Sequence, residues 1–234
     1  FFSSRRRHTR FRNVTGVQTC ALPISPTLGG VLAANLSGPR RIAAGAARDH
    51  FLGLEAVSGH AQVFRSGGRV VKNVTGYDLA KLLAGSFGTL AVLTEVTVKV
   101  LPAPEDVCTV LISDLTAEGA TTLMCALTAL PLDISGLVYV PASLAAGSAV
   151  AAVRAAQATL TALRLEGFPA SVDARRTRLR NAVTDHGVRG DHGATLGAHD
   201  SRRFWSEIRD GLLLPSGIVW RVSVPPRDGA HVAE

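Results

Sequence analysis

Residues 82–100, LLAGSFGTLAVLTEVTVKV, constrain the chain more than any other stretch. A short helical pattern from Tyr77 to Ala84 stops at Gly85, the residue type that most readily takes the left-handed conformation past a helix end. Alternating apolar residues from Leu90 to Val100 then read as a strand with one buried face. Between them, Gly85 and Gly88 flank Ser86-Phe87. Glycine there lets the backbone approach a neighbour more closely than a Cβ atom permits, and turns of this kind present N–H groups to phosphates or flat polar heterocycles. The same economy recurs upstream in PTLGGVLAANLSGPRR, residues 26–41. Gly29-Gly30 open a helix-like segment, and Asn35, Ser37 and Gly38 form a second tight turn. Two small-residue loops about fifty residues apart could grip two parts of one extended ligand, or could be ordinary turns of a compact β-rich domain. Neither is a GxxxxGK[ST] phosphate loop nor a GxGxxG dinucleotide turn.

The rest of the chain divides at Pro102 and Pro104. Residues 26–104 are glycine-rich, with strand patterns at Gln62–Phe64, Arg69–Val71 and Leu90–Val100, and RSGGRV (65–70) reads as a hairpin turn on Gly67-Gly68. From Glu105 the rhythm becomes α+β. Strands are expected at 107–112, 136–141, 160–167 and 218–225. Helices are expected after Thr116 as N-cap, from Leu144 to Ala156, and over 169–183 with Pro169 in the first turn and a basic, outward-facing patch. Such an order packs a sheet against helices on one face.

A net charge of +7 over 234 residues suggests nucleic acid until it is located. Residues 1–25 hold five arginines and no acid, which leaves +2 for the other 209 residues, an ordinary balance that argues against a nucleic-acid partner. The leader is Arg-rich and acid-poor like a transit peptide, but lacks an amphipathic stripe and resembles translated sequencing-adapter text. Residues 1–25 are expected to be non-native or disordered, with native sequence starting near Ser25 or Pro26 and its upstream part missing, and the abrupt DGAHVAE reads as a second cut end. No run of 18 uninterrupted apolar residues suggests a transmembrane helix. Cys20, Cys108 and Cys125 have no metal-type spacing, and their odd number fits a reducing cytoplasm; Cys108 and Cys125 read as core residues of a strand and a helix.

TLGGVLAANLSGPRR and GGRVVKNVTGYDLAKLLAGSFGTLAVLTEVTVKVLP, at their mutual separation, resemble the second half of a PCMH-type FAD-binding domain of the vanillyl-alcohol-oxidase superfamily. D-lactate dehydrogenases and glycolate oxidases are in that superfamily. The later segments LRLEGFPASVDARRTRLR, SRRFWSEIRDG and WRVSVPP are similar to the FAD-binding E subunits of bacterial glycolate oxidases. The resemblance implies an α+β fold: the second half of the FAD domain over 26–104, then a ferredoxin-like cap over 105–234. It implies FAD, with Thr27, Gly29 and Gly30 beside flavin and pyrophosphate, Asn35, Ser37 and Gly38 in the next turn, and Gly85, Gly88, Thr89 and Val92 on the adenine side through mainly backbone contacts. Ala91 stands where many relatives carry another glycine. The implied activity is hydride transfer from a small 2-hydroxy acid, glycolate to glyoxylate, to flavin. The implied partners are a homologous flavin subunit and an iron–sulfur subunit, in the cytoplasm or at the inner membrane face. A non-catalytic assembly subunit and a stand-alone D-lactate-type dehydrogenase are the alternatives, and no catalytic base is readable.

Other constellations point to structure. His186, His192 and His199 with Asp185 and Asp191 lie in a glycine-rich loop without a helix to hold them in metal-binding register. Asp78 and Lys81 suit surface or capping roles, Tyr77 suits a packed aromatic, and Trp205 and Trp220 suit the cap core. Arg221 could hold a carboxylate bidentately but more simply makes a surface ion pair.

Overall fold

The computed structural model of the chain describes residues 27–71, 76–188, 194–219 and 221–233. The leader expected over 1–25, together with Cys20, therefore lies outside the described residues.

Three short helices, α1 (Leu28–Ala33), α2 (Arg41–Ala44) and α3 (Ala47–His50), lead into a three-stranded antiparallel sheet. Its strands are β1 (Phe51–Ser58), β2 (Val63–Gly67) and β3 (Ala91–Val98), with β1 in the middle. Helix α4 (Leu79–Leu83) joins β2 to β3. Val31, Leu32, Phe51, Leu54, Ala80 and Leu83 make one buried core under this sheet. The sequence pattern had not shown β1, because Gly53 and Glu55 interrupt the apolar alternation of FLGLEAVS.

The hairpin reverses at Gly59–Gln62, where Ser58 N–H donates to Gln62 O at 3.0 Å, and not at RSGGRV. Gly67, together with Gly53, serves a different purpose. A Cβ on Gly67 would stand 2.1 Å from Leu52 O, and one on Gly53 would stand 2.7 Å from Gly68 N. These glycines let β1 and β2 come together, whereas the expectation had Gly67-Gly68 reverse the chain. Residues 69–71 consequently leave the sheet and are exposed bends.

Beyond the linker 99–105 the order is β4 (Asp106–Ser113), α5 (Ala117–Thr128), β5 (Ile134–Val140), α6 (Ala142–Ala145), α7 (Ala151–Ala155), β6 (Leu160–Gly167), α8 (Pro169–Asp185) and β7 (Thr195–Leu196). Helices α9 (Ala198–Asp210) and α10 (Gly229–Ala233) follow. The antiparallel sheet runs β5-β6-β4-β7, the ferredoxin-like arrangement of a β-α-β-β-α-β chain. Side chains alternate along β4: Cys108, Val110 and Ile112 face α5 and α8, while Leu111 faces Phe204 and Trp205 of α9. Helices thus cover both faces, where one covered face was expected. The continuous burial of β4 and β6 follows directly, since a strand between two helical layers has no solvent side.

Two further expectations change. The helix read from Leu144 to Ala156 is two helices, α6 and α7, interrupted at Ser148. Its hydroxyl accepts from Val150 N–H at 3.1 Å and donates to the buried Glu207 carboxylate at 2.6 Å, so side-chain bonding displaces a helical turn. The expected strand over 218–225 is irregular and exposed at its described residues, with Ile218 89% accessible. Apolar alternation alone does not make a strand when no sheet edge receives it.

Candidate functional site

Helix α1 starts where it does because Thr27 caps it: the threonine hydroxyl accepts from Gly30 N–H at 3.1 Å. The helix is only six residues long, and Asn35 in a positive-φ conformation (48°) turns the chain out of it. The Asn35 side-chain oxygen accepts from Arg48 N–H at 3.0 Å, and the buried Ser37 hydroxyl accepts from Ala47 N–H at 3.0 Å. Gly38 O accepts from Arg41 N–H, also at 3.0 Å, closing the turn that leads into α2.

The second loop docks on the first. Gly85 N–H donates to Leu32 O at 3.2 Å, and Phe87 N–H donates to Ala33 O at 2.8 Å. Gly85, Phe87 and Gly88 all have positive φ (86°, 53° and 75°). Thr89 closes the loop by donating its hydroxyl to Ser86 O at 2.6 Å. The structure therefore brings together the two small-residue loops, which the sequence separates by about fifty residues. Val92 follows on β3 and is 65% exposed.

Most polar side chains in these loops are occupied within them: Thr27, Ser37 and Thr89 each bond to nearby backbone. What the loops offer a ligand is backbone and glycine surface. A Cβ on Gly88 would meet nothing within 4 Å, and one on Gly29 would meet only Leu93 Cβ at 3.8 Å. The first-turn N–H groups of Leu28 and Gly29 have no intrahelical acceptor. Open glycine faces beside free N–H groups fit a dinucleotide cofactor contacted through the main chain. Gly30 is different, because a Cβ there would crowd the Thr27 hydroxyl at 3.1 Å. Its first service is to the helix cap.

The Gly38 turn carries Arg40 into a cavity of about 1190 Å³ between the α2 region, the linker and the second sheet. Arg40, Ile42 and Ala43 form one wall, and Pro102–Glu105 of the linker the floor. The far side consists of Leu127, Thr128 and Leu130 at the end of α5, Asp133–Ser135 at the start of β5, and Glu166–Phe168 where β6 enters α8. Arg40 Nε donates to Glu166 Oε2 at 2.9 Å, and Arg164 Nε lies 3.7 Å from Glu166 Oε1. Arg164 is fixed on its other side by Ser135, with Nε to Oγ at 3.1 Å and Nη2 to O at 2.9 Å. Its guanidinium sits 4.5 Å over the Trp205 ring. Burial lowers the Arg164 pKa to about 10, opposed by Glu166 and aided by Arg40, so it stays charged at neutral pH. The sequence reading had not singled out Arg40 or Glu166. The only available signal was the position of Arg40 two residues after the NxSG turn.

The remaining nominated residues are structural. Asp78 caps α4 by accepting from Lys81 N–H at 3.2 Å, and Lys81 Nζ donates to Arg48 O and Phe51 O at 2.6 and 2.8 Å. Tyr77 is 91% exposed instead of packed. Trp205 is buried and donates to Thr109 Oγ1 at 2.8 Å, while Trp220 lies outside the described residues. Arg221 is exposed. Of the basic patch on α8, Arg175 turns inward and donates to Glu166 O at 2.6 Å. Cys108 is buried and its thiol pKa is pushed up by that burial, but Cys125 is exposed, contrary to a core role. His192 and Asp191 lie outside the described residues, and among the described ones no group of three His, Cys, Asp or Glu could hold a metal. No helix among them is long and apolar enough to cross a membrane.

No family model matches the chain. It is 35% identical over 203 residues to glycolate oxidase subunit GlcE of Escherichia coli K12, covering 85% of this chain and 48% of that protein. It is 44% identical over 79 residues to glycolate oxidase subunit GlcD of Bacillus subtilis, covering 34% of this chain and 17% of the relative. A D-lactate dehydrogenase of Archaeoglobus fulgidus is 40% identical over 94 residues, 40% of this chain and 21% of that one. The chain is thus similar in sequence to FAD-linked oxidoreductases. It spans about half the length of the first of these relatives and about a fifth of the others. An alkyldihydroxyacetonephosphate synthase superposes with a TM-score of 0.61 at 20% identity, over 86% of this chain and 39% of its own. P-cresol methylhydroxylase does so with 0.52 at 16%, over 80% and 43%. Those likenesses show the fold alone, that of part of a PCMH-type domain followed by an α+β cap.

Proposed function

We propose that the chain belongs to an FAD-binding oxidoreductase subunit of the glycolate oxidase kind, acting on a small 2-hydroxy acid. The observation that carries the reading is the closure of the 27–38 loop on the 85–89 loop through Gly85 N–H and Phe87 N–H. On that basis the open glycine surface of the two loops and the first-turn N–H groups of α1 would face the cofactor. In this reading Gly29, Gly30, Asn35 and Gly38 line the flavin and pyrophosphate side, with Thr27 and Ser37 holding them in place. Gly85, Gly88, Thr89 and Val92 line the adenine side. FAD, when bound, would supply the two-electron acceptor for the α-hydrogen as hydride, and with the hydroxyl proton released to a base the acid becomes a 2-oxo acid. The chain's own residues position the cofactor and exclude water. A homologous flavin subunit and an iron–sulfur subunit complete the proposed assembly, in the cytoplasm or at the inner membrane face.

The test is flavin titration of the purified protein with and without those partners, followed by dye-linked oxidation of glycolate and D-lactate. Gly29→Leu projects a side chain into open space without a positive φ, so it should weaken FAD binding by tenfold or more, an estimate on the order of 1.4 kcal/mol. Gly59→Leu in the β1–β2 turn should not. Equal FAD affinity in both variants would remove the 27–38 loop from the site. Oxidation of D-lactate by the subunit alone would favour a stand-alone dehydrogenase, and bound flavin without turnover in any combination would favour an assembly subunit.

A further inference from the structure

The cavity beside Arg40 has a chemical character of its own. Its lining is mostly aliphatic or aromatic, and two of those side chains, Ile42 and Phe168, remain 56% and 68% exposed. Hydrophobic groups of that size facing a cavity gain from an apolar occupant. Set among them is one incompletely used cation. Arg40 is only 12% exposed, and only its Nε has a hydrogen-bond partner, Glu166. The two terminal amino groups of its guanidinium have none among the described residues.

Charge favours an anion at that point. Glu166 is shared by Arg40 and Arg164, so the buried trio carries two positive charges against one negative. Arg164 is committed to Ser135 and the Trp205 ring, which leaves Arg40 as the donor able to serve a ligand. The remaining carboxylates of the lining, Glu105 and Asp133, are exposed at the rim, where water screens them. A guanidinium held at Nε by one carboxylate presents its free edge to a second in planar, paired geometry. Size matters as well. About 1190 Å³ exceeds the roughly 300–1,000 Å³ typical of small-molecule sites, and a two-carbon acid would leave nearly all the apolar lining uncovered.

We propose that this cavity binds a monocarboxylic acid with an apolar body, its carboxylate on the free amino groups of Arg40 and its body against Ile42, Leu130 and Phe168. Glu166 is a positioning residue, which fixes the guanidinium plane by holding Nε. The inference concerns binding and stands apart from the redox reading, so it is tested without flavin.

Isothermal titration of the purified chain with sodium octanoate should give saturable binding at one site, with acetate and octylammonium chloride much weaker. Arg40→Gln should weaken octanoate roughly tenfold or more, the cost of losing a charge-assisted pair. Thr128→Trp narrows the cavity without altering Arg40 or Glu166, and should weaken binding while circular dichroism stays native. This second variant keeps the test decisive if Arg40→Gln fails to fold. No saturable octanoate binding overturns the proposal. So does equal binding of octanoate and octylammonium, which would mean apolar adhesion alone, and so does undiminished binding in the folded Thr128→Trp protein.

Discussion

At the scale of single residues, the same amino acid serves opposite ends in different places. Gly88 leaves space open, whereas Gly67 closes it: its φ is +71° and an added Cβ would penetrate Leu52 O. Gly67→Ala should therefore cost about 3 kcal/mol, combining left-handed strain with overpacking against backbone that cannot yield. Gly68→Ala, with nothing within 4 Å, should stay within about 0.5 kcal/mol of the parent in the same urea titration. Glu55 supplies a charge counterpart. Arg65 donates to it through Nη2 and Nε at 2.6 and 2.9 Å, and Thr94 donates its hydroxyl at 3.1 Å. The Arg65 bond first and the Thr94 bond second hold its carboxyl below the ordinary 4.5. A depressed folded value means the unfolded chain takes up the proton first. The contribution is complete above pH 4.5 and lost as pH falls through the folded value. Glu55→Gln should therefore flatten the fall of melting temperature below pH 4.5, as read by thermal melts across that range.

At the scale of elements, side-chain caps decided most of what was legible. Thr116 reads as an N-cap in the sequence, and its hydroxyl accepts from Gly119 N–H at 3.1 Å at the start of α5. Thr116→Ala should destabilise the protein by about 1 kcal/mol and Thr116→Ser by much less, measured as urea midpoints. Pro169 likewise marks the start of α8, and Gly85 the end of α4. Elements whose limits depend on distant partners were not legible. Ser148 breaks the 144–156 helix because Glu207, 59 residues away, accepts its hydroxyl. Strand β7 has two residues and exists because the edge of β4 is there to pair with.

At the scale of the whole molecule, the Arg40–Glu166 pair joins the turn before α2 to β6 across the cavity. Breaking a mostly buried pair strands its partner, so Glu166→Gln should cost about 2 kcal/mol and speed amide exchange in α2 more than in β1. Hydrogen exchange would show it. Equal acceleration in both elements would mean the pair does not hold the α2 turn locally. The same pair explains why the cavity was not foreseen. Arg40 and Glu166 are 126 residues apart, and neither has a neighbour in sequence that betrays the other.

What the sequence by itself determined is local chemistry: the capped helix after Thr116, the strand alternation of β3, the proline start of α8, and glycines wherever the backbone turns or approaches closely. Each follows from forces acting within a few residues. It also determined, through resemblance, the PCMH-type portion and the ferredoxin-like cap. Tertiary structure decided what those parts are for one another. It set the two glycine loops edge to edge, used Gly67 for strand approach in place of reversal, covered the second face of the cap sheet with α6, α7 and α9, and left the described residues of 218–225 outside either sheet. In each case the deciding contact joins residues far apart in sequence, and periodicity carries no record of such pairs.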